Sequence, residues 1–384
     1  MILLFSALIL YFVDQEYDIG NTVVKNYHFK HHIQDHQKMH SMVIDSGEFF
    51  NPSILPLGTG NTEFIIFAFK NGKIREQNDI FEYNVPNYCI TDNRKCEPKK
   101  LKLNLDLKKY RDADIADRYH DFEDVRVMYS PTGDIILVIS CPSILKYQER
   151  TSCIISAQQL IPELKAYVSA KPLYPLMVAV GKVKEISNWP KNQIPILFES
   201  EIYMYSINPD IFYKLDGSGN TEIISDIFNS CTTKMINEYP DSNSAHLGSN
   251  FLRLILCKTG KCESSIHNTV IIQVIHVVYI TKLTARNRHP YYYRIFQARN
   301  TTFPYKPVFY TDPFFLDEYD PNILIYSESI NFKYNNNNLE KERDVGYLDT
   351  QVVLGSGIDM WERTGSLAAD FTFENITKHR RECK

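Results

Sequence analysis

Apolar positions in this chain fall into short runs, some alternating with polar residues and some continuous and β-branched, most with Gly, Asn, Asp or Pro nearby. The runs Glu63 to Phe69, Ile135 to Ser140, Leu176 to Val180, Ile202 to Ile207, Phe251 to Cys257, Thr269 to Tyr279, Tyr291 to Gln297 and Ile323 to Glu328 each predict a strand. Helical periodicity is scarce. Ser156 to Leu164 predicts one short turn of helix and Ile223 to Asn229 another. No strand–helix alternation is visible, which argues against a doubly wound nucleotide-binding sheet. Many short strands with few helices predict an all-β chain, either a propeller or a large sandwich. No clean repeat of about 40–50 residues marks separate blades. Asn335 to Asn338 is a polar break, read as a loop near the end of the domain.

The chain has 384 residues, enough for one large all-β domain or two ordinary ones. Aromatic content is 13%, with 25 Tyr and 22 Phe, which supplies rings for a core and for stacking on sugars. The net charge of −4 offers no basic field for a nucleic-acid backbone, so no nucleic-acid partner is expected. Residues 1–13 (MILLFSALILYFV) are apolar but fall short of the roughly 20 residues of a full span. They lack a basic leading region and a small-residue cleavage site, so they read as a short signal-anchor or the C-terminal part of a longer one, an uncleaved hydrophobic leader and a buried first strand being the competing readings. Residues 14–45 read as a polar stem and 46–384 as the folded body. His31, His32, His36 and His40 in the stem read as a solvated linker rather than a metal site.

Eight cysteines, at 89, 96, 141, 153, 231, 257, 262 and 383, form no C-x-x-C pair, which argues against structural zinc. The close pairs 89/96, 141/153 and 257/262 suit local disulfides. With the sequons at Asn300-Thr301-Thr302 and Asn375-Ile376-Thr377, they point to a lumenal or extracellular body.

The richest chemistry lies in Glu123-Asp124-Val125-Arg126, followed by a β run, a Pro131-Thr132-Gly133-Asp134 turn and a second strand. Period-two alternation puts Asp124 and Arg126 on one face and Glu123 on the other. A carboxylate beside a guanidinium holds a sugar hydroxyl or keeps an acid ionised for proton transfer; the competing reading is a rim ion pair. His246, Asn250 and Arg253 could line a funnel wall, with Arg253 suited to a diphosphate, or could be a loop and a rim salt bridge. His276 shares a strand face with Val274 and reads equally as a structural histidine. Asp349 and Asp359 flank Gly355-Ser356-Gly357, whose glycines permit close backbone approach to a ligand or to a neighbouring strand. Asp112-Ala113-Asp114 matches the metal–diphosphate clasp of many sugar transferases, but it lies in a charged stretch without α/β context and reads as a solvated loop.

Several segments together resemble the fungal β-1,2-mannosyltransferase family, the membrane-anchored enzymes of yeast cell-wall mannan. They are Asp121 to Arg126 with the following hairpin, Ile202 to Leu215, Ser244 to Cys257 with Thr269 to His276, Tyr292-Tyr293-Arg294 with Pro304-Tyr305, and Tyr347 to Asp359. That family is distantly similar to the β-mannoside phosphorylases, five-bladed β-propellers with a Glu-Asp-Pro-Arg motif, whose third position here is Val125. The resemblance implies a five-bladed propeller and an inverting glycosyltransferase that moves mannose from GDP-mannose onto a mannan oligosaccharide acceptor. It implies Asp124 as base, with Glu123 beside it, and Arg126, His246, Asn250, Arg253, His276 and Asp349 in substrate binding. It further implies a Golgi type II membrane protein, with no resident metal certain and Mn2+ as the candidate cation. Two alternatives stay open: a β-mannoside phosphorylase or hydrolase on the same fold, and a non-catalytic mannan-binding relative.

Overall fold

The computed structural model describes residues 38–41, 49–57, 63–76, 79–91, 98–102, 123–142, 150–168, 177–178, 193–198, 201–207, 210–215, 221–226, 230–239, 242–280, 290–314, 324–333, 344–360 and 363–383. Strand β1 (Lys38–Ser41) precedes β2 (Phe49–Leu57), β3 (Glu63–Glu76), β4 (Asp79–Thr91) and β5 (Lys99–Lys100), and β2 to β5 form one antiparallel sheet in chain order. A second such sheet contains β6 (Glu123–Tyr129), β7 (Ile135–Pro142), β8 (Arg150–Ser156) and β9 (Met177–Val178). The third runs through β10 (Ile194–Phe198), β11 (Glu201–Ile207), β12 (Asp210–Leu215) and β13 (Thr221–Asp226).

In the fourth sheet β14 (Ser242–Leu247) and β15 (Leu252–Ile255) lie end to end along β16 (Thr269–Ile280), which is followed by β17 (Pro290–Asn300) and β18 (Pro307–Thr311). The fifth holds β19 (Leu324–Phe332), β21 (Gln351–Met360) and β22 (Arg363–Thr372), with β1 added outside β22. A short β20 (Val345–Tyr347) pairs in parallel with β15, and β23 (Arg380–Glu382) extends the fourth sheet beyond β18. Five sheets among the described residues, each of at least four strands and built mainly from consecutive antiparallel ones, make a mostly-β, propeller-like architecture.

The predicted strands recur, because sheets buried on both faces read as continuous apolar runs, but the run from Glu63 extends to Glu76, that from Ile323 becomes Leu324–Phe332, and Leu176 to Val180 shrinks to Met177–Val178. Along β6, Val125, Val127 and Tyr129 enter one buried cluster while Met128 enters another. The predicted turn after β6 forms as written. Gly133 takes φ 86°, the Ser130 N–H donates to the Asp134 carbonyl at 2.8 Å, and the Asp134 carboxylate accepts from Gln158 Nε2 at 2.7 Å. Between the third and fourth sheets the fully buried Arg299 lies 4.2 Å from the Tyr205 ring centroid and donates to the Gln297 side chain at 3.0 Å and the Tyr305 carbonyl at 3.2 Å.

The edge strands β2, β6 and β19 contact one another across sheets, and polar side chains stitch them together. Ser53 Oγ accepts from the Val127 N–H at 2.8 Å, and Ser329 Oγ accepts from the Ile54 N–H at 2.9 Å. Asn331 Nδ2 donates to the carbonyls of Ile54 at 2.7 Å and Val127 at 3.2 Å. Asn250 ties the fourth sheet to β19: its Nδ2 donates to the Ile330 carbonyl at 2.8 Å and its Oδ1 accepts from the Ile330 N–H at 3.0 Å. These bonds satisfy backbone groups that the sheets' own ladders leave unpaired where the edge strands of different sheets meet.

Two expectations change, and one disulfide is added. Ile223 opens no helix: it pairs with Tyr213 within β13, where its β-branched side chain suits an extended edge, and the helix starts later, at Ser230–Asn237. Residues 38–41, assigned to the stem, are strand β1 of the fifth sheet. Besides the expected Cys257–Cys262 bridge, Cys231 joins Cys383 over a separation of 152 residues, a pairing that proximity in sequence cannot suggest. Cys89 and Cys153 are also disulfide-bonded. The side chains of their expected partners, Cys96 and Cys141, lie outside the described residues, as do residues 1–13, His31, His32, His36, Asp112 and Asp114. No helix among the described residues is long and apolar enough to cross a membrane.

Candidate active site

The site starts from two irregularities in neighbouring strands. In β2 the register slips between Phe50 and Ser53, and Asn51 adopts φ 53°. In β6 it slips between Glu123 and Arg126, and Asp124 adopts φ 49°. Each slip is a β-bulge with one extra residue, and in each the first residue of the bulge is a non-glycine in the left-handed region. Such a conformation costs on the order of 1–3 kcal/mol and persists where surrounding structure enforces it. The two bulge residues touch: Asn51 Nδ2 donates to Asp124 Oδ1 at 3.3 Å.

The slip corrects the alternation drawn from sequence. A period of two cannot be carried through residues 123–126, because the extra residue resets which face follows. Arg126 is 2% exposed and its Nη2 donates to the Leu247 carbonyl of β14 at 3.1 Å, so the guanidinium reaches from the second sheet to the fourth. The side chain of Glu123 lies outside the described residues.

His246 and His276 face each other across the β14–β16 pair, with His276 Nδ1 and His246 Nε2 at 3.2 Å. Tyr292 of β17 completes the group: its ring stacks on His276 and meets His246 edge-on, both at a centroid distance of 5.0 Å. Burial holds His276 well below its ordinary pKa, and the nearby His246, Arg294 and Arg126 push in the same direction. His276 is therefore a neutral imidazole at neutral pH, able to accept a proton or a hydrogen bond at one nitrogen. Gly248 explains how the ring fits, since a Cβ at that position would come within 2.6 Å of His276 Nε2. Arg294, 5% exposed on β17, pairs in register with His276.

The remaining predicted residues separate. Asn250 is a structural tie to β19 through the two Ile330 bonds. Arg253 lies further along the fourth sheet, opposite Ile271, and forms a bidentate pair with Asp344 at 2.6 and 2.7 Å. That pair lines a separate small cavity of about 40 Å³ with Tyr129, Pro131 and Leu197. Asp349 accepts from the Thr259 N–H and hydroxyl, both at 2.9 Å, and so braces the disulfide loop of Cys257–Cys262. Gly355 permits approach of a strand rather than a ligand: a Cβ there would meet the Pro52 carbonyl at 2.9 Å and the Ser329 hydroxyl at 2.7 Å. Diphosphate binding at Arg253 thus loses its support, since the guanidinium fork is already filled by a carboxylate.

Asn51, Tyr292 and Arg294 carry the site without having been singled out for chemistry. Asn51-Pro52 inside an apolar strand is a turn pair in the wrong place, and that is the signal of a bulge. Among the described residues no group of three or more His, Cys, Asp or Glu side chains could hold a metal ion.

No family profile matches the chain, and no curated protein matches it. The chain is similar to solved structures of a glycosyl hydrolase from Bacteroides ovatus (10% identity, 85% of each chain, TM-score 0.45) and of a Trypanosoma rangeli sialidase mutant displaying trans-sialidase activity (12% identity, 86% of this chain and 45% of that one, TM-score 0.39). A third is a family 117 glycoside hydrolase from Zobellia galactanivorans (9% identity, 90% of this chain and 93% of that one, TM-score 0.36). The mannosyltransferase resemblance does not stand. No family profile supports it, and the expected transferase activity is withdrawn along with the family; the solved neighbours are glycoside hydrolases and sialidases.

Proposed function

We propose that this chain is a carbohydrate-active enzyme that cleaves a glycosidic bond, built as a five-bladed propeller with Asp124 at the mouth of its axis. The observation that carries the reading is the bonded pair of strained bulge residues, Asn51 and Asp124, on two strands that meet at the axis. Backbone strain of this kind concentrates at sites where a side chain must be aimed. Asn51 donates to one carboxyl oxygen of Asp124, and the other would meet the glycosidic oxygen. Asp124 delivers a proton to that oxygen as the bond to the anomeric carbon breaks, and water supplies the hydroxyl that replaces it. Arg126, on the strand of Asp124, bonds the Leu247 carbonyl and adds its charge to the surroundings of His276, and His246, His276 and Tyr292 would offer a polar and aromatic wall to a sugar ring and its hydroxyls.

The test is a panel of 4-nitrophenyl glycosides of differing sugar and anomer, assayed with the wild-type chain and with Asp124→Asn. Release of nitrophenol is expected from at least one glycoside, and the variant should lose about 10²–10⁴-fold in rate with an unchanged melting curve. Equal rates in the two proteins would remove Asp124 from the chemistry.

A further inference from the structure

The fold treats the two Asn-x-Thr triplets of the chain differently. Asn300 is the last residue of β17, and its N–H donates to the Lys306 carbonyl at 2.9 Å, closing a loop over residues 301–305 before β18. Within that loop the Tyr305 N–H donates to the Thr302 carbonyl at 2.8 Å, and the Tyr305 side chain is buried, so the turn is anchored. What the loop turns outward is Asn300, Thr302 and Phe303, all exposed. Phe303, whose ring meets Tyr305 edge-on at 6.1 Å, is 54% exposed and one of three large apolar side chains so open among the described residues. The other triplet is folded into a helical turn. Asn375 is half-buried inside Phe373–Ile376, Ile376 and Thr377 are buried, and the Thr377 hydroxyl donates to the Phe373 carbonyl at 2.9 Å. Asn375 Oδ1 accepts from Lys378 Nζ at 2.8 Å.

From this contrast we infer that Asn300 is a site of N-linked glycosylation and that Asn375 is not. The modification asks for a carboxamide at the surface, a hydroxyl two residues on that the fold has not enclosed, and room outside for a bulky polar group. The loop at 300–306 offers all three, whereas the helical turn at 373–377 has buried its hydroxyl. Phe303 adds a reason for a sugar to settle there, since an open aromatic ring in the same loop can take the apolar face of the first residue of a glycan. The Cys231–Cys383 and Cys257–Cys262 bridges suit a chain that folds in an oxidising compartment, where such triplets are substrates. In the transfer, Asn300 Nδ2 bonds the anomeric carbon of an oligosaccharide carried on a lipid diphosphate. The bond from that carbon to the diphosphate oxygen breaks, the amide nitrogen gives up one proton, and the lipid diphosphate leaves with the electron pair. The donor and the transferase both come from the cell, and nothing is oxidised or reduced. The assignment stands apart from the glycoside-cleaving reading.

The test is to make the full chain in yeast cells and digest it with peptide N-glycosidase, which leaves aspartate wherever a glycan stood. A drop in apparent mass on digestion is expected, with conversion to aspartate at residue 300 and none at residue 375 in the peptide map. Asn300→Gln and Thr302→Ala should each abolish the drop. Thr302→Ser, which keeps the triplet, should retain it, and Asn375→Gln should leave it unchanged. A wild-type chain whose mass is the same before and after digestion, whether it entered the secretory pathway or stayed in the cytosol, would overturn the assignment. Conversion at residue 375 would overturn the choice between the two triplets. If Asn300→Gln fails to accumulate, Thr302→Ala takes its place, and if both fail the peptide map of the wild type decides alone.

Discussion

His276 shows how much one side chain reports about this site. It is 2% exposed, it stacks on Tyr292, and the glycine at 248 exists in a space that its ring has claimed. Because burial depresses its pKa, the unfolded chain binds a proton near the ordinary value of about 6.5 while the folded chain does not. The folded state therefore has its full advantage above pH 6.5 and loses it as the pH falls below, by up to about 1.4 kcal/mol per pH unit for one proton. Thermal melts from pH 7.5 down to pH 5 should show a falling midpoint, and His276→Gln should flatten that slope. A midpoint as steeply pH-dependent in the variant as in the wild type would assign the effect to another group.

At the scale of single elements, the bulges and the ties between strands do what ladder pairing cannot. Asn250 returns two hydrogen bonds to one residue of β19, so Asn250→Ala leaves a buried N–H and a buried carbonyl without those partners. A loss of about 1–3 kcal/mol per orphaned group is expected, measured as a shift of the denaturant midpoint with an unchanged slope. The strands themselves were legible because apolar runs with β-branched residues have few other ways to be buried: Thr269 to Tyr279 and Ile202 to Ile207 match β16 and β11 nearly to the residue. The bulges were not legible, since a slip of register is decided by the partner strand and by what the axis must hold. That is why Asp124 could be named while its relation to Arg126 was drawn with the wrong period, and why Asn51 escaped notice. For a related reason the sequence leaves Asn250 and Arg253 open between a ligand wall and a loop with a salt bridge, and the structure shows the second, with Arg253 paired to Asp344. Polar side chains at an axis bind either a guest or the neighbouring strand, and sequence spacing does not say which.

At the scale of the molecule, long-range connections hold the sheets in order. The Cys231–Cys383 bridge fastens the helix Ser230–Asn237, which precedes the fourth sheet, to the strand β23 that borders it. Around it Arg381 pairs with Glu238 at 2.7 Å and Asp312 at 2.6 Å, and Tyr310 donates to Glu238 at 2.7 Å. Cys383→Ser should lower stability by about 2–5 kcal/mol under oxidising conditions and by far less in the presence of a reductant, where the bridge is already open in both proteins. Equal melting of wild type and variant without reductant would show that the salt-bridged surface alone secures this edge.

The pairing of β1 with β22, Lys38 opposite Asp370 and Ser41 opposite Leu367, sets a timetable for synthesis. A ribosome that has delivered residues 38–41 must add more than three hundred others before their mate emerges, so those residues wait with their hydrogen-bonding groups open to solvent or to helpers. Translation that stops before residue 363 leaves β21 as a naked border, ready to recruit a stray strand from another nascent chain. Cells that make this protein are thus expected to guard its early product with holdase chaperones until the final stretch is released.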